Sequence, residues 1–194
     1  MKLAKRCELE LPNWVLPFVA EWKQPLDTVD QRMALAVALS GANIDRKTGG
    51  PFGALVYDEQ GGRLLSVGVN VVTQAGMSLA HAEMVALSLA QAGLADWNLD
   101  AAGRVQLVSS CEPCAMCFGA VPWSGVRGLV WGARRQDAEE CGFDEGNKPV
   151  DWRESLERRG IATRADIRRE DAVDVLKRYV HSDGAIYHPE SKRS

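Results

Sequence analysis

Short apolar runs typical of β-strands alternate with helix-like segments along most of the chain. In order, we predict a helix at 29–42, strands at 52–58 and 63–72, a helix at 81–91, a strand at 104–110, a helix at 114–120, a strand at 128–132, a helix near 153–159, a strand near 161–167 and a helix near 171–181. Residues 136–151 are polar and are predicted to be irregular. This alternation predicts an α/β fold with helices on both faces of a sheet.

The two ends of the chain are predicted to lie outside the main domain. Residues 1–27 contain prolines among large apolar side chains such as Trp14 and Phe18. Because proline prevents a long helix there, we predict an N-terminal arm that packs over the core. Residues 28–181 are predicted to form one domain, which suits a length of 194 residues, and residues 182–194 a C-terminal tail.

Charge and composition exclude several classes of protein. The net charge of −3 argues against general binding of nucleic acid, which depends on excess Lys and Arg to neutralise phosphates. No apolar run is long enough to cross a membrane. Glu8, Glu10 and Pro12 lie where a signal peptide would be apolar, so we expect a cytoplasmic protein. In that compartment its five cysteines stay reduced, which favours a metal or catalytic role over disulfides.

Two short segments carry the residues that bind metal best, His81-Ala82-Glu83 and Pro113-Cys114-x-x-Cys117. Imidazole and thiolates suit zinc, and three protein ligands leave a fourth position for water. The sequence therefore predicts an open catalytic zinc site with the ligands His81, Cys114 and Cys117. A closed structural site with Cys111 as fourth ligand stays open as an alternative, as does a plain core role for the cysteines. Cys141 is not predicted to be a ligand.

Glu83 follows the predicted ligand His81 by two positions at a helix start. A carboxylate beside zinc-bound water can take its proton and pass it to a substrate, while the metal lowers the pKa of that water towards about 7. The alternative is that Glu83 only complements the helix dipole. We predict Glu83 as the catalytic acid and base.

These two segments together resemble the zinc-dependent nucleobase deaminases of the cytidine-deaminase superfamily. The resemblance extends from about residue 29 to residue 150 and includes Pro51-Phe52-Gly53-Ala54. It implies a central five-stranded mixed sheet sandwiched between helices, with a C-terminal helix and tail. It also implies that residues 28–181 are a deaminase domain with one zinc ion per active site, which releases ammonia from an amino-substituted ring by hydrolysis.

Within that superfamily, Gly142-Phe143-Asp144-Glu145-Gly146 resembles a segment of bacterial guanine deaminases, some of which also act on the triazine ammeline. The resemblance implies conversion of guanine to xanthine and ammonia by attack at C2 of the ring. Glu145 would contact the base and help to protonate the leaving amine, with Asp144 as a neighbouring substrate contact. The backbone N–H of Ala82 or Cys114 is predicted to steady developing charge.

The same resemblance assigns roles to four further residues. Asn70 would hydrogen-bond the base, and Phe52 and Trp123 would flank its ring. Tyr187, in the tail, would help to close the site, which relatives do across a domain-swapped homodimer. From the residues alone, core roles for Phe52 and Trp123, a turn role for Asn70 and a solvated loop around Glu145 stay open.

Three other functions remain as alternatives. The tRNA adenosine deaminases share the zinc motifs, but Asp137, Glu139 and Glu140 would repel a phosphate backbone near the site. Deamination of cytosine, cytidine or guanosine is a second alternative. A non-catalytic zinc scaffold is the third, although it has no use for Glu83. The predicted partner is a small-molecule nucleobase.

Overall fold

A computed structural model describes residues 3–187; part of the predicted tail, residues 188–194, lies outside the described residues. The described chain contains eight α-helices, α1 (Val15–Ala20), α2 (Val29–Asp45), α3 (Val72–Ala75), α4 (Ala82–Leu94), α5 (Ala115–Ser124), α6 (Arg135–Glu140), α7 (Trp152–Glu157) and α8 (Arg169–His181). Its five strands are β1 (Gly53–Asp58), β2 (Arg63–Val69), β3 (Val105–Cys111), β4 (Gly128–Ala133) and β5 (Ala162–Arg164).

The five strands form one mixed sheet in the order β2-β1-β3-β4-β5. β1 is antiparallel to both β2 and β3, whereas β3, β4 and β5 are parallel. The parallel strands need crossover connections, and α5 and α7 lie in them. The predicted α/β class and the five-stranded mixed sheet are confirmed.

The strands bury side chains on both faces with a period of two residues. On β4, Leu129 and Trp131 face one core together with α4 and α5, while Val130 between them faces a second core with α2. α8 packs near the β4 end of the second face. Because both faces are covered, every residue of β1, β3 and β4 is buried, and most of these residues are apolar.

The N-terminal segment packs on the second core. Val15 in α1 is fully buried there, and Trp14 Nε1 donates to Thr48 Oγ1 at 3.0 Å. α2 then begins with a capping box, in which Thr28 and Gln31 each accept from the other's backbone N–H. The contacts of Val15 and Trp14 hold the N-terminal segment against the second core.

Two predicted features differ from the structure. The segment 136–151 was expected to be irregular, but α6 occupies its beginning because the Asp137 carboxylate accepts from the backbone N–H of Arg134 at 2.7 Å and caps the helix. α5 continues past its predicted end at residue 120 and includes Pro122 in its last turns, before Gly125 ends it with φ 84°.

None of the helices within residues 3–187 is long and apolar enough to span a membrane.

Candidate active site

The predicted metal ligands lie at the first turns of two helices. His81 is the N-cap residue of α4 and Cys114 is that of α5. The position of α4 is fixed by close packing on β2, since a Cβ at Gly68 would lie 2.1 Å from the carbonyl oxygen of Ala82. Only glycine permits this approach. It places the start of α4 at the end of the sheet where the C-terminus of β3 also lies.

The three predicted ligands form one cluster. His81, Cys114 and Cys117 each offer a ligand atom, and these atoms all lie within 4.8 Å of one another. His81 Nδ1 and Cys114 Sγ are 3.5 Å apart. One imidazole and two thiol groups suit zinc and leave a position free for a substrate or water. Cys111 and Cys141 are outside this cluster, and no second group of this kind occurs in residues 3–187.

The local electrostatics favour a thiolate in this cluster. The hydrogen bond with Cys117, aided by that with His81, lowers the pKa of Cys114 to about 4 despite its partial burial. The same interaction with Cys114 raises the pKa of Cys117, and burial adds to the effect. The lowered pKa favours the thiolate of Cys114 at neutral pH, which is the form that binds a metal ion.

Two buried carboxyl groups lie beside the metal-binding cluster. Burial raises the pKa of Glu83, whose side chain also forms a hydrogen bond with Cys117. Burial, together with the negative charges of Cys114 and Glu83, raises the pKa of Glu145 to about 8, and Lys148 acts in the opposite direction. Carboxyl groups in such surroundings can accept and donate protons near neutral pH.

One cleft joins these groups. Its lining combines aromatic rings, the metal-binding residues and acidic side chains: Phe52, His81, Glu83, Cys111, Glu112, Cys114, Phe143, Asp144, Glu145 and Tyr187. Apolar walls with a few polar groups are typical of sites for small planar ligands.

Two of the predicted substrate contacts, Phe52 and Tyr187, line the cleft, and a third, Asn70, is bonded to Tyr187. Phe52 packs edge-to-face on Phe143 at a centroid distance of 4.9 Å. Tyr187 packs against Phe143 and against the ring of His81. Asn70 is fully buried, and its side-chain Nδ2 donates to the Tyr187 hydroxyl at 2.6 Å. The end of the described chain thus lies in its own cleft.

The other three predicted substrate contacts are Asp144, Ala82 and Trp123, and their positions differ from one another. Asp144 lines the cleft and accepts from the backbone N–H of Gly146 at 2.9 Å. Ala82 is buried between His81 and Glu83. Trp123 does not reach the cleft in this chain, because it lies near the end of α5 with 81% of its surface exposed.

Sequence reasoning missed three residues of the site. Phe143, to which the sequence assigns no role of its own, is the ring on which Phe52 and Tyr187 pack. Glu112 lines the cleft and pairs with Lys148, which lies in the segment expected to be irregular. The one available signal was the position of Glu112 directly before Pro113-Cys114.

Comparisons with known proteins agree with this geometry. Residues 27–133 match the family described as the cytidine and deoxycytidylate deaminase zinc-binding region. Guanine deaminase of Bacillus subtilis is 37% identical over 110 residues, which are 57% of this chain and 67% of that protein.

Solved structures are similar to this chain over more of its length. A guanine deaminase from Nitrosomonas europaea is 40% identical and superimposes with a TM-score of 0.85, over 93% of this chain and all of that one. A related structure in complex with 2,6-diaminopurine is 43% identical with a TM-score of 0.85, over 93% of this chain and 96% of that one.

Proposed function

The chain belongs to the cytidine and deoxycytidylate deaminase zinc-binding family, and from that premise we propose that it hydrolyses guanine to xanthine and ammonia. The observation that carries the proposal is the meeting of two acidic side chains, Glu83 and Glu145, with the His81–Cys114–Cys117 cluster in one aromatic cleft. The similarity to guanine deaminases selects guanine among the nucleobases.

His81, Cys114 and Cys117 would hold the zinc, with one ion in each active site. When bound, zinc supplies the Lewis acidity that makes water a nucleophile near neutral pH. The donor set fits this metal, because its three ligand atoms are close enough to share one ion and include a sulfur favoured as thiolate.

The two acidic side chains would divide the proton transfers. The Glu83 carboxylate takes a proton from the attacking water and delivers it to the ring nitrogen next to C2. Glu145 lines the same cleft and directs a proton to the leaving amino group. The sum is one water consumed and one ammonia released for each guanine. Substitution of Glu145 by Gln should reduce turnover more than it reduces thermal stability.

The base would be held by an amide and by aromatic rings. Nδ2 of Asn70 has two N–H groups, of which the Tyr187 hydroxyl uses one, so a second remains for a carbonyl or ring nitrogen of the substrate. Phe52 supports one face of the ring, and Asp144 is a neighbouring contact. The backbone N–H of Ala82 or Cys114 would stabilise developing negative charge.

We also propose how the rest of the chain serves this reaction. Residues 28–181 form the deaminase domain, residues 1–27 an arm that covers core surface, and residues 182–194 a tail that closes a site. In a homodimer two chains could exchange their tails, and Trp123 could then meet a partner's site. Cytoplasmic purine metabolism is the proposed setting, which accords with the free cysteines Cys7, Cys111, Cys114, Cys117 and Cys141.

Ammonia release by the zinc-loaded protein tests the proposal directly. The panel contains guanine, ammeline, guanosine, cytosine and a transfer RNA with adenosine in the anticodon. We expect guanine to be the best substrate, with slower turnover of ammeline. If guanine releases no ammonia and another substrate does, the assignment of guanine is overturned and the deaminase chemistry stands. No ammonia release from any member of the panel would favour a non-catalytic zinc scaffold.

A further inference from the structure

Glu112 and Lys148 form an ion pair beside the cleft that is almost entirely withdrawn from water. Only 2% of the Lys148 side chain and 13% of the Glu112 side chain are exposed. Lys148 Nζ also donates to the carbonyl oxygen of Pro113 at 2.7 Å and lies 4.3 Å from the centroid of the Trp152 ring. Because desolvation offsets much of the attraction in such a pair, burial of this kind is weak evidence for a role in stability alone.

The pair joins the two segments that carry Cys114 and Glu145. Lys148 binds the carbonyl group of Pro113, the residue before Cys114. The backbone N–H of Ala115, the residue after Cys114, donates to the carbonyl oxygen of Glu145 at 2.9 Å. The segment from Glu145 to Lys148 is therefore hydrogen-bonded to the chain on both sides of Cys114.

Glu112 extends this connection to a third segment. One of its carboxylate oxygens pairs with Lys148, and the other accepts from the backbone N–H of Arg135, at the start of α6, at 3.4 Å. Lys148 is absent from the residues that line the cleft, so it does not act on a substrate directly.

We propose that Lys148 is a positioning residue, which with Glu112 holds the Cys114 segment and the Glu145 segment in fixed register. Loss of Lys148 would free Cys114 to move relative to His81 and Glu145 to move relative to the substrate. The effect on zinc stands on geometry alone, whereas the effect on turnover rests on the proposed function. Small displacements of this kind cost much more in rate than in substrate binding.

The test compares Lys148→Met with the double variant Lys148→Met/Glu112→Gln, and Lys177→Met on the exposed face of α8 is the matched control. Lys148→Met leaves the Glu112 carboxylate buried without its cation, so we expect a lower Tm. The double variant removes both charges and should recover most of that Tm. Both variants should release zinc to a chelator about tenfold faster than the wild type. Their kcat on guanine should fall about tenfold while KM stays within about threefold.

The outcomes separate a positioning role from a structural one. Zinc release at the wild-type rate in the double variant overturns the inference, because the lost contact to Pro113 then has no effect on Cys114. If the wild-type enzyme is active on guanine and the double variant regains both kcat and Tm, the inference is overturned as well, because the pair would then serve stability only. A wild-type protein inactive on guanine refutes the proposed function instead, and the zinc-release comparison still decides the role of Lys148.

Discussion

The side-chain amide of Asn70 donates a 2.6 Å hydrogen bond to the hydroxyl of Tyr187, across 117 positions of sequence. Asn70 lies just after β2, and its Oδ1 accepts from the backbone N–H of Val72 at 3.3 Å, which fixes the orientation of the amide. The same tyrosine ring packs against His81. One residue near the end of the described chain thus contacts both Asn70, the amide that we propose to bind the base, and His81, a proposed zinc ligand.

Two substitutions of Tyr187 separate its hydroxyl from its ring. Tyr187→Phe removes only the hydrogen bond to Asn70, which is worth about 0.5–1.5 kcal/mol, so kcat/KM for guanine should change by less than about tenfold. Tyr187→Ala removes the ring that lines the cleft and admits water, and kcat/KM should fall by more than about tenfold. Steady-state kinetics of the two variants measure the difference; equal effects would contradict a role for the ring in closing the site.

Glu83→Gln removes the carboxylate that we assign to proton transfer. Turnover of guanine should fall by about 10²–10⁴-fold, because the amide cannot accept the proton of the attacking water. Zinc content should be unchanged, since Glu83 is not in the metal-binding cluster. Glu154→Gln, on the exposed side of α7, is the matched control and should retain full activity. Near-normal turnover by Glu83→Gln would refute the mechanism.

The sequence predicted the sheet and the metal cluster because both depend on local patterns. Short continuous apolar runs mark strands such as β4, whose two faces are both buried. The spacing of Cys114 and Cys117 at a helix start brings their sulfurs together without long-range information. The motif containing His81 then identifies the partner helix.

The rest of the site depends on contacts between distant segments. Lys148 lies in the polar segment that the sequence predicts to be irregular. Only the fold shows that Glu112, Pro113 and Trp152 surround it. The exposure of Trp123 could not be predicted either, because the predicted helix ends at residue 120 and the sequence does not show which face of a longer helix Trp123 would occupy. Asp137 caps α6 with a side chain that Arg169, in α8, holds in place by two hydrogen bonds. A contact between two such distant residues cannot be predicted from a local pattern.

Substitution of two cysteines distinguishes an open zinc site from a closed one. Cys117→Ala removes a predicted ligand and should abolish stoichiometric zinc binding. Cys111→Ala changes a buried thiol that lines the cleft but lies outside the metal-binding cluster, so zinc binding should persist. Zinc per chain, measured by atomic absorption on both proteins after dialysis, decides between them. Loss of zinc from Cys111→Ala would indicate a fourth protein ligand and a structural site.

Stability in acid should depend on Asp137, which joins α6 to α8. Hydrogen bonds from Arg169 lower the pKa of Asp137, opposed by burial and aided by the backbone N–H of Arg134. A carboxyl group whose pKa is depressed by folding contributes stability above its unfolded pKa of about 3.9, and this contribution is lost as the pH falls through the folded pKa.

Asp137→Asn should therefore lower Tm at pH 7. The difference from the wild type should begin to narrow below about pH 4, where the carboxyl group of the unfolded wild type becomes neutral, and should narrow further as the pH approaches the lower pKa of the folded state. Asp151→Asn, which breaks a fully exposed pair with Arg158, is the control and should leave Tm unchanged. Calorimetry from pH 7 to about pH 3 follows both variants with the same metal loading, so that any loss of zinc affects each protein alike. A Tm deficit of Asp137→Asn that stays constant over that range would show that the packing of the side chain, and not its charge, joins the two helices.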